Sequence, residues 1–279
     1  MTEVDSGEVV SADGTVIGYR RIGSGPPLLI LHGAMQSALS QRDLATALGG
    51  RFTVVLPDRR GRGASGPFGP DWSLAREVED VTAVLAATGA RVAVGVSSGA
   101  IILLDAALTQ PLDKLVLFEP PLLVDGSASL DWVPQAEAQL ARGDIPAALV
   151  SGMYGSQMGP ALIRKLPRRL MEKGAASMMD KTDGDVLSMR ELAPTLPYDG
   201  RLVEQTADQV ERYRAVTVPT LLIGTSKSPG YLQVALSSVE RVLPDVRRVE
   251  LKGVDHGVTE NADRRGAPDR VAAEILAFL

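Results

Sequence analysis

A chain of 279 residues, 45% hydrophobic and 23% charged, has the makeup of a soluble globular protein, large enough for one big domain or a domain with an insertion. Its formal net charge of −5 opposes attraction to phosphate backbones, and Arg59, Arg60 and Arg62 on one turn make no nucleic-acid footprint. Without cysteine there is no disulfide or thiolate chemistry. The polar start MTEVDSGEVV lacks the pattern of a signal peptide, and the greasiest run, AIILLDAAL, is short and holds Asp105. A cytoplasmic protein with neither a nucleic-acid nor a membrane partner is the expectation.

Residues 7–22 read as two short strands around the turn SADG, with Thr15, Ile17 and Tyr19 on one face of the second. PPLLILHG (26–33) and FTVVLPD (52–58) are apolar runs with the look of strands buried on both faces, and 38–48 reads as a helix between them. From Ser73 to Thr88 the pattern is helical: Val78, Val81 and Leu85 share a face, Glu77 and Asp80 lie off it, and Gly89 supplies the stop. RVAVGV predicts the next strand, followed by a helix from Ser98 to about Thr109 and a strand at KLVLFE (114–119). Strand and helix in alternation imply a mostly parallel sheet covered on both faces, an α/β fold.

The alternation then stops. Between about Leu130 and Arg214 only helix-like stretches appear, broken by Gly and Pro, and six of the eight methionines fall here: Met153, Met158, Met171, Met178, Met179 and Met189. It resumes with a strand at VPTLLIG (218–224), a helix near 230–243, a strand at RRVELKG (247–253) and a final helix in which Val271, Ile275 and Phe278 share a face. The expected organisation is a core of residues 1–129 and 215–279 with a helical insertion at 130–214.

VGVSSGA (94–100) contains Gly-x-Ser-x-Gly, a weak signal alone. Its context sharpens it, because a strand before and a helix after are what a nucleophile elbow needs. Ser97 falls on the strained turn, and Ser98, the first helical residue, would offer its N–H to a developing oxyanion. An ordinary strand-to-helix turn closed by glycines is the bland alternative. A serine nucleophile needs a base, and the chain has two histidines. His256, in KGVDHGV just past the last strand, falls at the carboxyl edge of the sheet with Ser97 and is the expected base. His32, in LHGAMQS, is expected to hold the loop whose amides complete the oxyanion hole.

These segments together resemble the α/β-hydrolase fold superfamily of the serine-nucleophile, helical-cap type, over nearly the whole chain. The resemblance is carried by LLILHGAMQS, VVLPDRRGRGASG, VGVSSGA, LVLFEPPL, VPTLLIG and LKGVDHG, in the family's order. It implies a Ser–acid–His triad, an oxyanion hole from the amides of Ala34 and Ser98, a helical cap over the site, and no cofactor. Many relatives place an Asp three residues after the Gly ending the penultimate strand; here position 227 is Lys. Some members, haloalkane dehalogenases among them, use a carboxylate after the strand that follows the elbow, where this chain has Glu119. Glu119 is therefore the expected acid, with a structural carboxylate as its other reading and Asp255 as the weaker rival. Met35 and Val96 are expected to shape the substrate pocket.

The glycine-rich GRGASG lacks the P-loop lysine, and no His and carboxylate cluster has metal-ligand spacing. The resemblance implies a cofactor-independent hydrolase cleaving an ester, thioester, lactone or activated C–C bond of a moderately apolar small molecule. A non-hydrolytic enzyme on the same fold, a cyclase or lyase, and a catalytically silent binding protein are the alternatives.

Overall fold

Large apolar side chains alternate between two buried layers along the central strands, and that alternation sets the architecture. The computed structural model describes residues 4–159, 163–182 and 186–279. Residues 1–3 of the N-terminal stretch, and 160–162 and 183–185 of the expected cap, lie outside the described residues. Among the described residues eight strands form one sheet: β1 (Val4–Val10), β2 (Val16–Ile22), β3 (Pro27–Leu31), β4 (Thr53–Pro57), β5 (Val92–Val96), β6 (Lys114–Phe118), β7 (Thr220–Thr225) and β8 (Val246–Leu251). Their order is β1-β2-β4-β3-β5-β6-β7-β8. The expected hairpin of β1 and β2 runs antiparallel, β2 also pairs antiparallel with β4, and the other pairings are parallel.

The unbroken apolar runs of β3 to β7 follow from helices on both faces. On one face Leu29, Leu31, Leu115, Leu117 and Leu222 share a buried cluster with residues of α2 (Leu74–Thr88), α3 (Ser98–Ala106) and α9 (Gly230–Val242). On the other, Leu28, Ile30, Val116, Phe118 and Ile223 pack with residues of α1 (Arg42–Leu48) and α10 (Pro268–Phe278). Each such side chain removed from water contributes about 1.5–3 kcal/mol. Gly89 ends α2 in the left-handed region, at φ 71°. The segment expected as a helix over 38–48 opens with a 3-10 turn, Ala38–Gln41, before α1.

Between β6 and β7 lie α4 (Trp132–Ala141), α5 (Ile145–Gly155), α6 (Arg168–Met178), α7 (Met189–Leu192) and α8 (Leu196–Gln205), with no strand among the described residues. Small side chains let these helices approach: Ala136 of α4 and Ala148 of α5 are buried against Leu196. The end of the insertion is not detached from the sheet layers. Leu202 of α8, Val210 and Tyr213 belong to the same buried cluster as α3 and α9. No helix among the described residues is long and apolar enough to cross a membrane.

Candidate active site

The glycine spacing around Ser97 has a steric cause. β5 ends at Val96 and α3 begins at Ser98, so the chain reverses direction at one residue, and Ser97 takes φ 54°, ψ −122°. A Cβ at Gly95 would lie 2.5 Å from Ala100 Cα, where α3 turns back over the strand. One at Gly99 would lie 2.4 Å from the Leu31 carbonyl oxygen and 2.5 Å from that of His32. Both flanks must be glycine for helix and sheet to close. The Ser97 N–H donates to Phe118 O at 2.9 Å.

Glu119 follows β6 with φ 42° and is fully buried. Its Oε2 lies 2.6 Å from His256 Nδ1 and accepts from Ser228 Oγ at 2.8 Å. Its Oε1 accepts from the Thr225 N–H at 2.7 Å and Thr225 Oγ1 at 2.9 Å. Two hydrogen bonds on each oxygen fill the acceptor capacity of a carboxylate. Burial alone would raise the Glu119 pKa, but the His256 hydrogen bond and charge, with the Ser228 and Thr225 donors, bring it below the ordinary value. Lys227 stands on the same loop, and its backbone N–H donates to Val254 O at 3.1 Å, tying the β7 loop to the His256 loop. Asp255 has other work: its Oδ1 accepts from the Gly257 N–H at 3.1 Å and caps the short turn His256–Thr259.

The structure thus brings Glu119 to His256. Among the described residues His256 has one side-chain hydrogen-bond partner, Glu119, and the Ser97 hydroxyl is not bonded to it. Gly33 passes against the elbow, since a Cβ there would meet Ser97 Cβ at 2.8 Å. Its N–H donates to Gln36 Oε1 at 2.9 Å, and Ala34 is a half-buried residue of the turn that follows. His32 is buried behind it, Nδ1 donating to Gly33 O at 2.9 Å and Nε2 accepting from the Arg59 N–H at 3.1 Å. Burial, then the charges of Arg62 and Arg59, push its pKa well below 6.5, so this ring is neutral. Met35, at φ 54°, packs on the small cluster of Ala136, Ala148 and Leu196. Val96 is 1% exposed and faces Phe118 and Ile30 within the sheet layer.

A group of residues missed in the sequence lies beside the elbow. Arg59 grips Glu77 of α2 with Nε and Nη2 at 2.9 and 2.8 Å, and its Nη1 donates to Asp199 Oδ1 at 2.8 Å and Ser98 Oγ at 2.9 Å. Arg62 Nη2 meets Asp199 Oδ2 at 2.5 Å. Arg60 pairs with Asp80 at 2.6 Å and Asp13 at 3.0 Å. Glu77 and Asp80, off the apolar stripe of α2, are therefore buried as partners of arginines. Through these bonds the three arginines tie their loop to α2 and α8. Asp199, alone in PYDGR, gave no signal.

Residues 28–274 match the model of the alpha/beta hydrolase family. Among solved structures, an alpha/beta hydrolase from Sphaerobacter thermophilus superposes with TM-score 0.79 at 31% identity, covering 98% of this chain and 99% of that one. A 2-(acetamidomethylene)succinate hydrolase from Mesorhizobium japonicum is 27% identical over 88% of this chain and 86% of its own length. A non-heme haloperoxidase from Rhodococcus erythropolis is 26% identical over 97% and 98%.

Proposed function

On the premise that the chain belongs to the alpha/beta hydrolase family, we propose that it is a cofactor-independent serine hydrolase of a small, moderately apolar substrate. The scissile group is an ester, thioester, lactone or activated C–C bond. In this reading residues 130–214 form a cap over the site, and the remainder forms the core. Met35 lines the pocket, and Val96 shapes its floor from within the sheet layer.

Ser97 Oγ attacks the substrate carbonyl while His256 Nε2 takes its proton. The hydrogen bond between the two tightens in the Michaelis complex. Ala34 and Ser98 N–H groups hold the oxyanion, an effect worth roughly 10²–10³ in turnover per donor. His256 returns the proton to the leaving group, then deprotonates a water that attacks the acyl-enzyme. Throughout, Glu119 keeps the Nδ1 proton in place and stabilises the imidazolium. The observation that carries this reading is the buried, fully hydrogen-bonded Glu119 at 2.6 Å from His256 Nδ1.

Fluorophosphonate labelling tests it. Wild type should label at one site, and Ser97→Ala should not; label retained in that variant would remove Ser97 as nucleophile. The haloperoxidase among the relatives supports a second reading, non-hydrolytic chemistry in the same pocket. That reading is favoured if wild type labels yet no ester, thioester or lactone turns over. A wild type that takes no label points to a silent binding protein.

A further inference from the structure

We propose that Asp199 is a positioning residue that sets the Ser98 amide for the oxyanion by holding the Ser98 side chain, and so couples the seating of α8 to turnover. The inference rests on the serine-hydrolase reading. Ser98 has two polar ends beside the elbow. Its N–H is the proposed oxyanion donor, and its Oγ donates to Asp199 Oδ1 at 3.0 Å while accepting from Arg59 Nη1 at 2.9 Å. Asp199 and Ser98 stand 101 residues apart. Among the described residues, Asp199 is the one side chain of α4 to α8 hydrogen-bonded to a residue of the elbow.

The surroundings make this contact stiff. Asp199, Arg59, Arg62 and Ser98 are each at most 3% exposed, so water does not compete for the bonds. Arg59 cannot swing away, because Glu77 holds its other edge through two hydrogen bonds. Burial opposes the charge on Asp199, yet Arg62 and Arg59 outweigh it and keep the carboxyl below its ordinary pKa. A fixed Oγ fixes the first turn of α3 and with it the direction of the Ser98 N–H. An oxyanion donor works only when aimed at the place where charge develops, and small displacements of such groups cost large factors in rate. The network also holds more donors than acceptors. Arg62 Nε and Nη1 are buried without an acceptor among the described residues, so loss of Asp199 would leave no alternative partner to restore the clamp.

The test is steady-state hydrolysis of p-nitrophenyl acetate, together with the rate of fluorophosphonate labelling. Ser98→Ala keeps the amide and the Arg59–Asp199 pair but removes the link. Its kcat and labelling rate should fall by about tenfold, with KM within about twofold, because the lost interaction acts in the transition state. Asp199→Asn should show the same split, and the double variant should be no slower than the slower single one. Wild-type kcat in folded Ser98→Ala, or single effects that multiply in the double variant, would overturn the proposal. If Asp199→Asn does not fold, Ser98→Ala decides alone. A wild type that neither turns over nor labels condemns the serine-hydrolase reading itself, before any variant is made.

Discussion

His256 Nδ1 lies 2.6 Å from Glu119 Oε2, and the end of β7 with the loop after it supplies the three other hydrogen bonds to that carboxylate, from Thr225 and Ser228. The position where many relatives carry the acid is Lys227, so here that loop serves as donor to a carboxylate from the neighbouring strand. An amide of the same shape can occupy the site but cannot stabilise an imidazolium. Glu119→Gln should therefore lower kcat by roughly 10²–10⁴ while the far-ultraviolet circular dichroism stays native. Turnover within about threefold of wild type would assign Glu119 a purely structural part.

The elbow stores strain that a glycine would release. Ser97 sits at φ 54°, ψ −122°, a region costly for any residue with a Cβ, by about 1–3 kcal/mol. Ser97→Gly should be inactive, yet more stable than Ser97→Ala by about 1 kcal/mol in urea unfolding. Equal midpoints for the two variants would show that the turn is unstrained.

How much of this was legible in the sequence divides by distance along the chain. The elbow was readable because its pattern is contained in five consecutive residues, although the atoms that Gly99 clears belong to Leu31 and His32 at the end of the neighbouring strand. The central strands β3 to β7 were readable because burial on both faces leaves apolar residues and glycine between their ends. Glu119 could be found only through the resemblance to family members that carry a carboxylate after the strand following the elbow, and its contact with His256 depends on chain packing across 137 residues. The Arg59–Asp199 pair was invisible for the same reason, 140 residues apart with no motif at Asp199. Glu77 and Asp80 lie off an apolar stripe in the sequence; only the fold shows the buried arginines that claim them.

Packing at the elbow makes two glycines of the chain differ in a measurable way. A Cβ at Gly99 would press on two backbone oxygens that cannot move without breaking β3 from the sheet. Gly99→Ala should cost about 3 kcal/mol or more and abolish labelling at Ser97. A Cβ at Gly89 meets nothing within 4 Å and offends only through φ 71°. Gly89→Ala should cost about 1 kcal/mol and leave labelling intact. Similar losses in the two variants would refute the steric account.

His32 should make the fold sensitive to mild acid. Its folded pKa is held well below 6.5 by burial and by the charges of Arg62 and Arg59, whereas the unfolded chain titrates near 6.5. Below that pH the unfolded state takes up a proton that the folded state refuses, so stability falls as pH falls, by up to about 1.4 kcal/mol per unit. Glu119 and Asp199 have lowered folded pKa values, so their contribution is present above the ordinary carboxylate range and disappears only as pH falls through those depressed values. The window from pH 6.5 to 5.5 is thus where His32 acts and these two carboxylates do not. Urea unfolding at pH 7.5, 6.5 and 5.5 should show wild type losing about 1 kcal/mol more over the last unit than His32→Gln, which lacks the titrating ring but keeps a donor and an acceptor. Parallel pH profiles for the two proteins would mean that His32 is not the neutral, buried ring bonded to Gly33 and Arg59.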